Sequence, residues 1–84
     1  MTILLIEDNP ADVEMIRELL SDRKGSFFDI VWADRLSAAK PYLTGGGIDI
    51  ILLDLGLPDS QGLDTLRRVR DHAREVPIVV LTML

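Results

Sequence analysis

Short apolar runs recur along the chain, and longer segments with a different apolar spacing separate them. Runs of about four to eight residues that are rich in apolar and β-branched side chains are typical of strands covered on both faces. The second run is the most amphipathic, so we expect it near an edge of the sheet. The pattern predicts strands over Thr2–Glu7, Phe28–Ala33, Ile48–Asp54 and Val76–Thr82.

Between these strands, apolar residues recur every three or four positions, which is the spacing of an amphipathic helix. We expect the first helix to begin with Asn9 as its N-cap and Pro10 in its first position, and to end at Lys24–Ser26. The second helix is expected to run from a cap at Asp34 to about Leu43.

The second helix contains a conflict at Pro41, which should kink or shorten it. A loop is predicted over Leu55–Gln61, followed by a third helix over Gly62–Ala73. Strands that alternate with helices in this way predict an α/β fold with a doubly wound parallel sheet. No linker or repeat is visible, so residues 1–84 are expected to form a single domain.

Composition narrows the possible classes of protein. The chain has no cysteine, which excludes disulfides and thiolate metal sites and favours a reducing cytoplasm. No apolar run approaches the roughly 18–20 residues that a membrane helix needs, and no leader segment is apparent. The net charge of −5 argues against direct nucleic-acid binding by this chain.

Acidic residues stand where apolar strands are predicted to end. Glu7 and Asp8 follow the first strand, and Asp54 follows the third. In a doubly wound sheet the carboxyl ends of neighbouring strands meet in one cleft, where ligands bind. Clustered carboxylates repel one another, and an all-oxygen site suits Mg²⁺. On the acids alone, a metal or phosphoryl site and simple solvated strand caps both remain open.

Three blocks of the sequence resemble the bacterial response-regulator receiver family. Ile3–Pro10 (ILLIEDNP) is similar to the first strand with its acidic pair, and Pro77–Thr82 (PIVVLT) to the fourth strand with its hydroxyl residue. Asp49–Leu63 (DIILLDLGLPDSQGL) resembles the phosphoacceptor strand and the loop after it. The resemblance implies a flavodoxin-like (CheY-like) sheet with strand order 2-1-3-4.

The resemblance also implies roles for individual residues. Asp54 would be the phosphoacceptor, taking a phosphoryl group from a sensor histidine kinase or a histidine phosphotransfer protein. Asp8 would bind Mg²⁺ directly, Glu7 would act mostly through a metal-bound water, and Asp54 and the Gly56 backbone carbonyl would be further ligands. Thr82 would hydrogen-bond the attached phosphoryl group and act as a switch by moving toward it.

The chain departs from the family pattern near its C-terminus. A complete receiver continues with a fourth helix, a fifth strand carrying a lysine, and a fifth helix, so residues 1–84 are expected to be an incomplete receiver domain. Met83 also stands where the family usually has a small residue. An unpaired fourth strand and an uncovered sheet face would invite self-association.

Two other functions compete with a phosphorylated receiver. A receiver-like interaction module that accepts no phosphate is favoured by the missing lysine and by Met83. A phosphatase of the haloacid-dehalogenase type would need a second aspartate where Gly56 stands, so this enzyme class fits poorly. A receiver would catalyse its own phosphorylation and dephosphorylation without being a conventional turnover enzyme.

Trp32 is expected to be a packing or interaction residue.

Overall fold

The computed structural model describes residues 1–21 and 28–81. In chain order these residues form β1 (Thr2–Ile6), α1 (Pro10–Ser21), β2 (Asp29–Ala33), α2 (Leu36–Gly45), β3 (Ile50–Asp54), β4 (Gly56–Leu57), β5 (Ser60–Gln61), α3 (Gly62–His72) and β6 (Ile78–Leu81). The predicted helix end at Lys24–Ser26 lies outside the described residues, as do Thr82 and Met83.

The main sheet is parallel and has the strand order β2-β1-β3-β6. This confirms the predicted order 2-1-3-4, because β6 is the fourth of the strands predicted from the apolar runs. The amphipathic strand β2 lies at an edge of the sheet, as its sequence indicated. The two central strands are β1 and β3; β2 lies on the outer side of β1, and β6 lies on the outer side of β3, so the chain proceeds in opposite directions from the centre of the sheet. The switch of direction therefore falls between β1 and β3.

Helices cover both faces of this sheet. On one face, α2 and α3 pack on alternate residues of β1 and β3, in a core that includes Leu4, Ile6, Leu36, Ala39, Leu43, Ile51, Leu53 and Val69. On the other face, Val13 and Ile16 of α1 pack with Leu5. The strands thus bury side chains on both faces, which explains their nearly continuous apolar sequences. Within the described ranges, no helix is both long and apolar enough to cross a membrane.

The segment between β3 and α3 is more ordered than the predicted loop. It contains the two short strands β4 and β5, which pair in antiparallel fashion with Leu57 opposite Ser60. Leu57 is completely buried in the core under α2 and α3. This apolar anchor holds the segment against the domain at a position close to the end of β3.

Helix α1 begins as predicted. The side-chain oxygen Oδ1 of Asn9 accepts a hydrogen bond of 2.9 Å from the backbone N–H of Ala11. The carbonyl of Asn9 also accepts the N–H of Val13 at 3.1 Å. The side chain of Asn9 therefore satisfies the Ala11 N–H, which has no partner within the helix, while its carbonyl accepts the first regular bond of the helix.

Helix α2 does not begin as predicted, because Asp34 does not cap it. The carboxylate of Asp34 pairs with the side chain of Arg35 at 3.2 Å instead. The backbone N–H groups of Leu36 and Ser37 donate to the two carboxylate oxygens of Asp59, at 2.8 and 2.9 Å. Burial alone would raise the pKa of Asp59, but these N–H donors outweigh burial and lower the pKa. The cap therefore comes from the segment between β3 and α3.

Pro41 does not shorten α2, which is one of the two effects that the sequence predicts for it, a kink or a shortened helix. The helix continues past Pro41 to Gly45. A proline inside a helix costs about 3 kcal/mol, since it removes a backbone donor. The same helix buries Leu36, Ala39 and Leu43 in the core. Burying a leucine side chain contributes about 1.5–3 kcal/mol, so this packing offsets the defect.

Candidate functional site

The pairing of β1 with β3 places the predicted acidic residues side by side. Ile6 lies opposite Leu53 in the parallel register, so the residues that follow, Glu7 and Asp54, emerge together at the same edge of the sheet. Glu7, Asp8 and Asp54 each offer one carboxylate oxygen, and these oxygens all lie within 4.8 Å of one another. The cluster lies where the winding direction switches, which is the usual ligand position in this kind of sheet.

Glu7 is held by several contacts at once. Its backbone N–H donates to the Ala33 carbonyl at 3.1 Å, and its carbonyl accepts the indole N–H of Trp32 at 2.7 Å. Its side-chain oxygen Oε1 accepts the backbone N–H of Asn9 at 3.1 Å. The residue is only 1% exposed, yet Oε2 has no hydrogen-bond partner among the described residues. A buried carboxylate oxygen without a partner is costly, so Glu7 needs a proton or a cation.

The raised pKa of Glu7 also indicates that this carboxyl group needs a proton or a cation. Burial raises the pKa of this carboxyl group from its ordinary value of 4.5 to about 7. The Asn9 N–H opposes this shift, whereas the neighbouring Asp54 and Asp8 carboxyl groups add to it. Without a positive charge nearby, the cluster therefore retains a proton at a pH where an isolated glutamate would be ionised.

The other two carboxylates are more accessible than Glu7. Asp54 is partly buried at the end of β3, and Asp8 is exposed beyond β1. Oδ1 of Asp54 accepts the backbone N–H of Gly56 at 3.0 Å, so one oxygen of this side chain is oriented by the chain that follows it. The site is thus buried at its base and open toward Asp8.

Two hydroxyl residues that sequence reasoning missed support the segment after Asp54. The carbonyl of Leu55 accepts the N–H of Gly62 at 2.9 Å, and it lies 3.2 Å from Oγ1 of Thr65. Oγ1 of Thr65 also lies 2.8 Å from Oγ of Ser60, and both residues are buried. These contacts fix the segment that presents Gly56 to Asp54. Their sequence signal is weak, because a single serine or threonine occurs in strands, helices and turns alike.

The structure shows where some of the predicted site residues lie, and the roles of all of them stay predictions. It brings Glu7, Asp8 and Asp54 together, as expected from the strand ends. Gly56 follows closely, but only its N–H is seen to contact Asp54, so its carbonyl remains a predicted ligand. Thr82 lies outside the described residues, and its role stays a prediction.

The acidic cluster fits Mg²⁺. All its donors are oxygens, one buried carboxylate oxygen has no partner within the part of the chain that the structure describes, and Asp8 is exposed to solvent. Mg²⁺ prefers a few carboxylates and retains several of its own waters, which matches a small, half-open donor set.

Comparison with known sequences places the chain in a family. A family model described as the response regulator receiver domain matches residues 3–84. The swarming motility regulation protein RssB of Serratia marcescens is 37% identical over 82 residues, which are 98% of this chain and 36% of RssB. The transcriptional regulatory protein PhoP of Escherichia coli K12 is 35% identical over 82 residues, 98% of this chain and 35% of PhoP. The chain thus spans about a third of these curated relatives.

Solved structures of similar fold lead to the same family. The MaeR response regulator bound to beryllium trifluoride superposes with a TM-score of 0.83 and 27% identity, covering 100% of this chain and 68% of MaeR. A second similar structure is the receiver domain of sensor histidine kinase PA1611 from Pseudomonas aeruginosa PAO1, which has a magnesium ion coordinated in its active site cleft. Its TM-score is 0.80 and its sequence identity is 30%, and the match covers 96% of this chain and 66% of the PA1611 receiver chain. The flavodoxin-like (CheY-like) fold, the family model and the identities agree: the chain belongs to the response regulator receiver domains of two-component signalling systems.

Proposed function

We propose that this chain is a phosphoacceptor receiver in which Asp54 takes a phosphoryl group from a phosphohistidine of a sensor histidine kinase or a histidine phosphotransfer protein. The observation that carries the proposal is the cluster of Glu7, Asp8 and Asp54, which bring one carboxylate oxygen each to within 4.8 Å of one another. In addition, the buried oxygen Oε2 of Glu7 has no hydrogen-bond partner among the described residues. Receiver domains as a family work with such kinases and bind Mg²⁺ at an acidic site.

Each proposed role follows from the chemistry of the residue. Asp54 is the carboxylate nucleophile: its oxygen forms a bond to phosphorus as the phosphorus–nitrogen bond breaks, and the imidazole departs with its electron pair and takes up a proton. Asp8 would ligate Mg²⁺ directly, and the Gly56 carbonyl would add a ligand. Glu7 would act through a metal-bound water, and Thr82 would donate to a phosphoryl oxygen. When bound, Mg²⁺ would supply positive charge for the equatorial phosphoryl oxygens.

A beryllofluoride titration tests this function directly. We expect Mg²⁺ followed by beryllofluoride, which mimics an acyl phosphate, to shift the backbone amide resonances of Asp54 and Gly56 in ¹H–¹⁵N spectra. Asp54→Asn should abolish the beryllofluoride response, because the amide is a poor ligand for beryllium. Asp71→Asn makes the same charge change at an exposed position of α3 and should respond like the unaltered chain.

The alternative, an interaction module that accepts no phosphate, predicts a different result. Such a module would leave the spectrum unchanged on addition of beryllofluoride, or would respond equally in the Asp54→Asn variant. Either outcome would contradict the phosphoacceptor role. The MaeR structure bound to beryllium trifluoride shows that a similar fold can take this probe.

We further propose that the domain works in the cytoplasm and does not itself contact nucleic acid. The net charge of −5 would repel a phosphate backbone. The curated relatives include transcriptional regulators, but this chain spans only about a third of them, and their activities belong to the whole proteins.

Self-association through β6 is the last part of the proposal. Among the described residues β6 is an edge strand of the main sheet. The groove beside it has an apolar part, Leu63, Leu66, Ile78 and Val80, and a charged part, Arg67, Arg70 and Asp71. Leu63 is 68% exposed and Val80 is 39% exposed. An apolar edge of this kind favours pairing with a second copy of the chain.

Sedimentation velocity would measure this self-association. We expect a concentration-dependent dimer, and we expect Val80→Lys to raise its dissociation constant at least about tenfold, since a charged edge residue opposes strand pairing. Tyr42→Lys places the same charge at a similarly exposed position on α2 and should leave the dimer intact. A compact monomer at high micromolar concentration would rule the dimer out.

A further inference from the structure

The edge strand β2 reaches the acidic site through one side chain, that of Trp32. In the pairing of β1 with β2, Trp32 lies opposite Leu5 and Ala33 lies opposite Ile6. The backbone of Glu7 continues past this pairing and is held by β2 at both of its polar groups. Its N–H donates to the Ala33 carbonyl at 3.1 Å, and its carbonyl accepts the indole N–H of Trp32 at 2.7 Å.

The carbonyl that Trp32 contacts belongs to the peptide unit that joins Glu7 to Asp8. This peptide unit is planar, so a hydrogen bond to its oxygen restrains the plane from which the two acidic residues project. The plane joins the Cα atom of the buried Glu7 to the Cα atom of the exposed Asp8. One hydrogen bond therefore influences the position of two of the three carboxylates.

Packing alone does not account for Trp32. The residue is 39% exposed, although it is the only tryptophan in the chain and lies in a strand. The indole N–H is the only polar group of the side chain, and it is directed at the backbone of a site residue rather than at water. At 2.7 Å the bond is at the short end of the range for N–H donors.

We propose that Trp32 is a positioning residue that holds the Glu7–Asp8 peptide unit in the orientation required to bind a divalent cation together with Asp54. This inference rests on the proposed function, since it assumes that the acidic cluster binds Mg²⁺. Trp32 itself contacts neither the cation nor the phosphoryl group. Its contribution is to reduce the freedom of the turn after β1 before the cation arrives.

The substitution Trp32→Phe separates the hydrogen bond from the aromatic packing. Phenylalanine keeps a large ring at the edge of the sheet but has no N–H. We expect the dissociation constant for Mg²⁺, measured by calorimetric titration, to rise about 2–10-fold, which is the usual effect of losing one hydrogen bond. Tyr42→Phe, which removes the polar group of a similarly exposed aromatic residue on α2, should leave the affinity unchanged.

The indole resonance provides a second readout that does not require a variant to fold. Because the chain has a single tryptophan, its ¹H–¹⁵N spectrum contains a single indole N–H signal. We expect this signal to exchange slowly with solvent, despite the partial exposure of the ring, and to shift when Mg²⁺ is added.

The outcomes distinguish the two proposals. The positioning role is wrong if the unaltered chain binds Mg²⁺ but Trp32→Phe binds it equally well. It is also wrong if the indole signal does not shift when Mg²⁺ binds. In either case the hydrogen bond is structural only. If the unaltered chain does not bind Mg²⁺ at all, the proposed function fails and the positioning role fails with it. Weaker binding by Trp32→Phe together with a shifting indole signal would support both.

Discussion

Replacing Glu7 by glutamine is expected to stabilise the metal-free chain at pH 8 and, in the same variant, to weaken Mg²⁺ binding. At pH 8 most Glu7 side chains are ionised, and the charge lies buried beside Asp8 and Asp54 with Oε2 unpartnered in the described structure. The amide of glutamine keeps an oxygen for the Asn9 N–H and offers its NH₂ to the neighbouring carboxylates. We expect a gain of about 1–3 kcal/mol in the free energy of unfolding.

The same substitution removes a group that would hold a metal-bound water. Loss of such an outer-shell partner typically lowers metal affinity by about 10–100-fold. Thermal unfolding without metal and calorimetric titration with Mg²⁺ would measure the two effects. Glu14→Gln makes the same charge change on an exposed position of α1 and should alter neither quantity. A Glu7→Gln variant that loses stability, or that keeps full Mg²⁺ affinity, would contradict the proposed site.

The second prediction is that Glu7 makes the free energy of unfolding of the metal-free chain depend on pH. Burial raises the pKa of Glu7 from 4.5 to about 7 in the folded chain, so between these values the folded state holds a proton that the unfolded state has released. Stability therefore falls as the pH rises from about 4.5 to about 7, because the folded state binds more protons there. Saturating Mg²⁺ should reverse this trend, since the cation favours the ionised form.

The contribution of Glu7 is the difference between the free energies of unfolding of the unaltered chain and of Glu7→Gln at each pH. The free energy of unfolding would be measured from pH 5 to 8 for the unaltered chain and for Glu7→Gln, with and without Mg²⁺. Other groups titrate in both proteins, and their contributions largely cancel in the difference. Asp59, whose pKa is lowered, contributes stability above the unfolded pKa that is lost only at more acidic pH, outside this window. Parallel curves for the two proteins would show that Glu7 has no raised pKa.

The main sheet and the acidic cluster could be predicted because both follow from short-range patterns. Apolar runs define the strands, and residues that end neighbouring parallel strands must meet at one edge. Glu7 and Asp54 each come directly after a buried strand residue, Ile6 and Leu53, and these two residues are paired in the register. Once the strand order was correct, the meeting of the acids required no further information.

Some of the contacts that support the site could not be predicted, because they join residues far apart in the sequence. Trp32 meets the Glu7 carbonyl only because β2 lies beside β1 in one particular register. Asp59 caps a helix that begins 23 residues earlier, whereas sequence rules consider only nearby caps such as Asp34. The continuation of α2 through Pro41 has a similar cause. The unfavourable free energy of a proline inside a helix is offset by burial of α2 side chains against other elements, and these contacts cannot be identified from the local sequence.

The cap that Asp59 places on α2 has a consequence for any attempt to exchange parts between related domains. Asp59 lies five residues beyond Asp54, and its two oxygens hold the first amides of a helix from the preceding crossover. A chimera that imports the Asp54 segment from a relative without this carboxylate would leave the Leu36 and Ser37 amides without their partner. The segment and the start of α2 are thus one module, and they should be transplanted together.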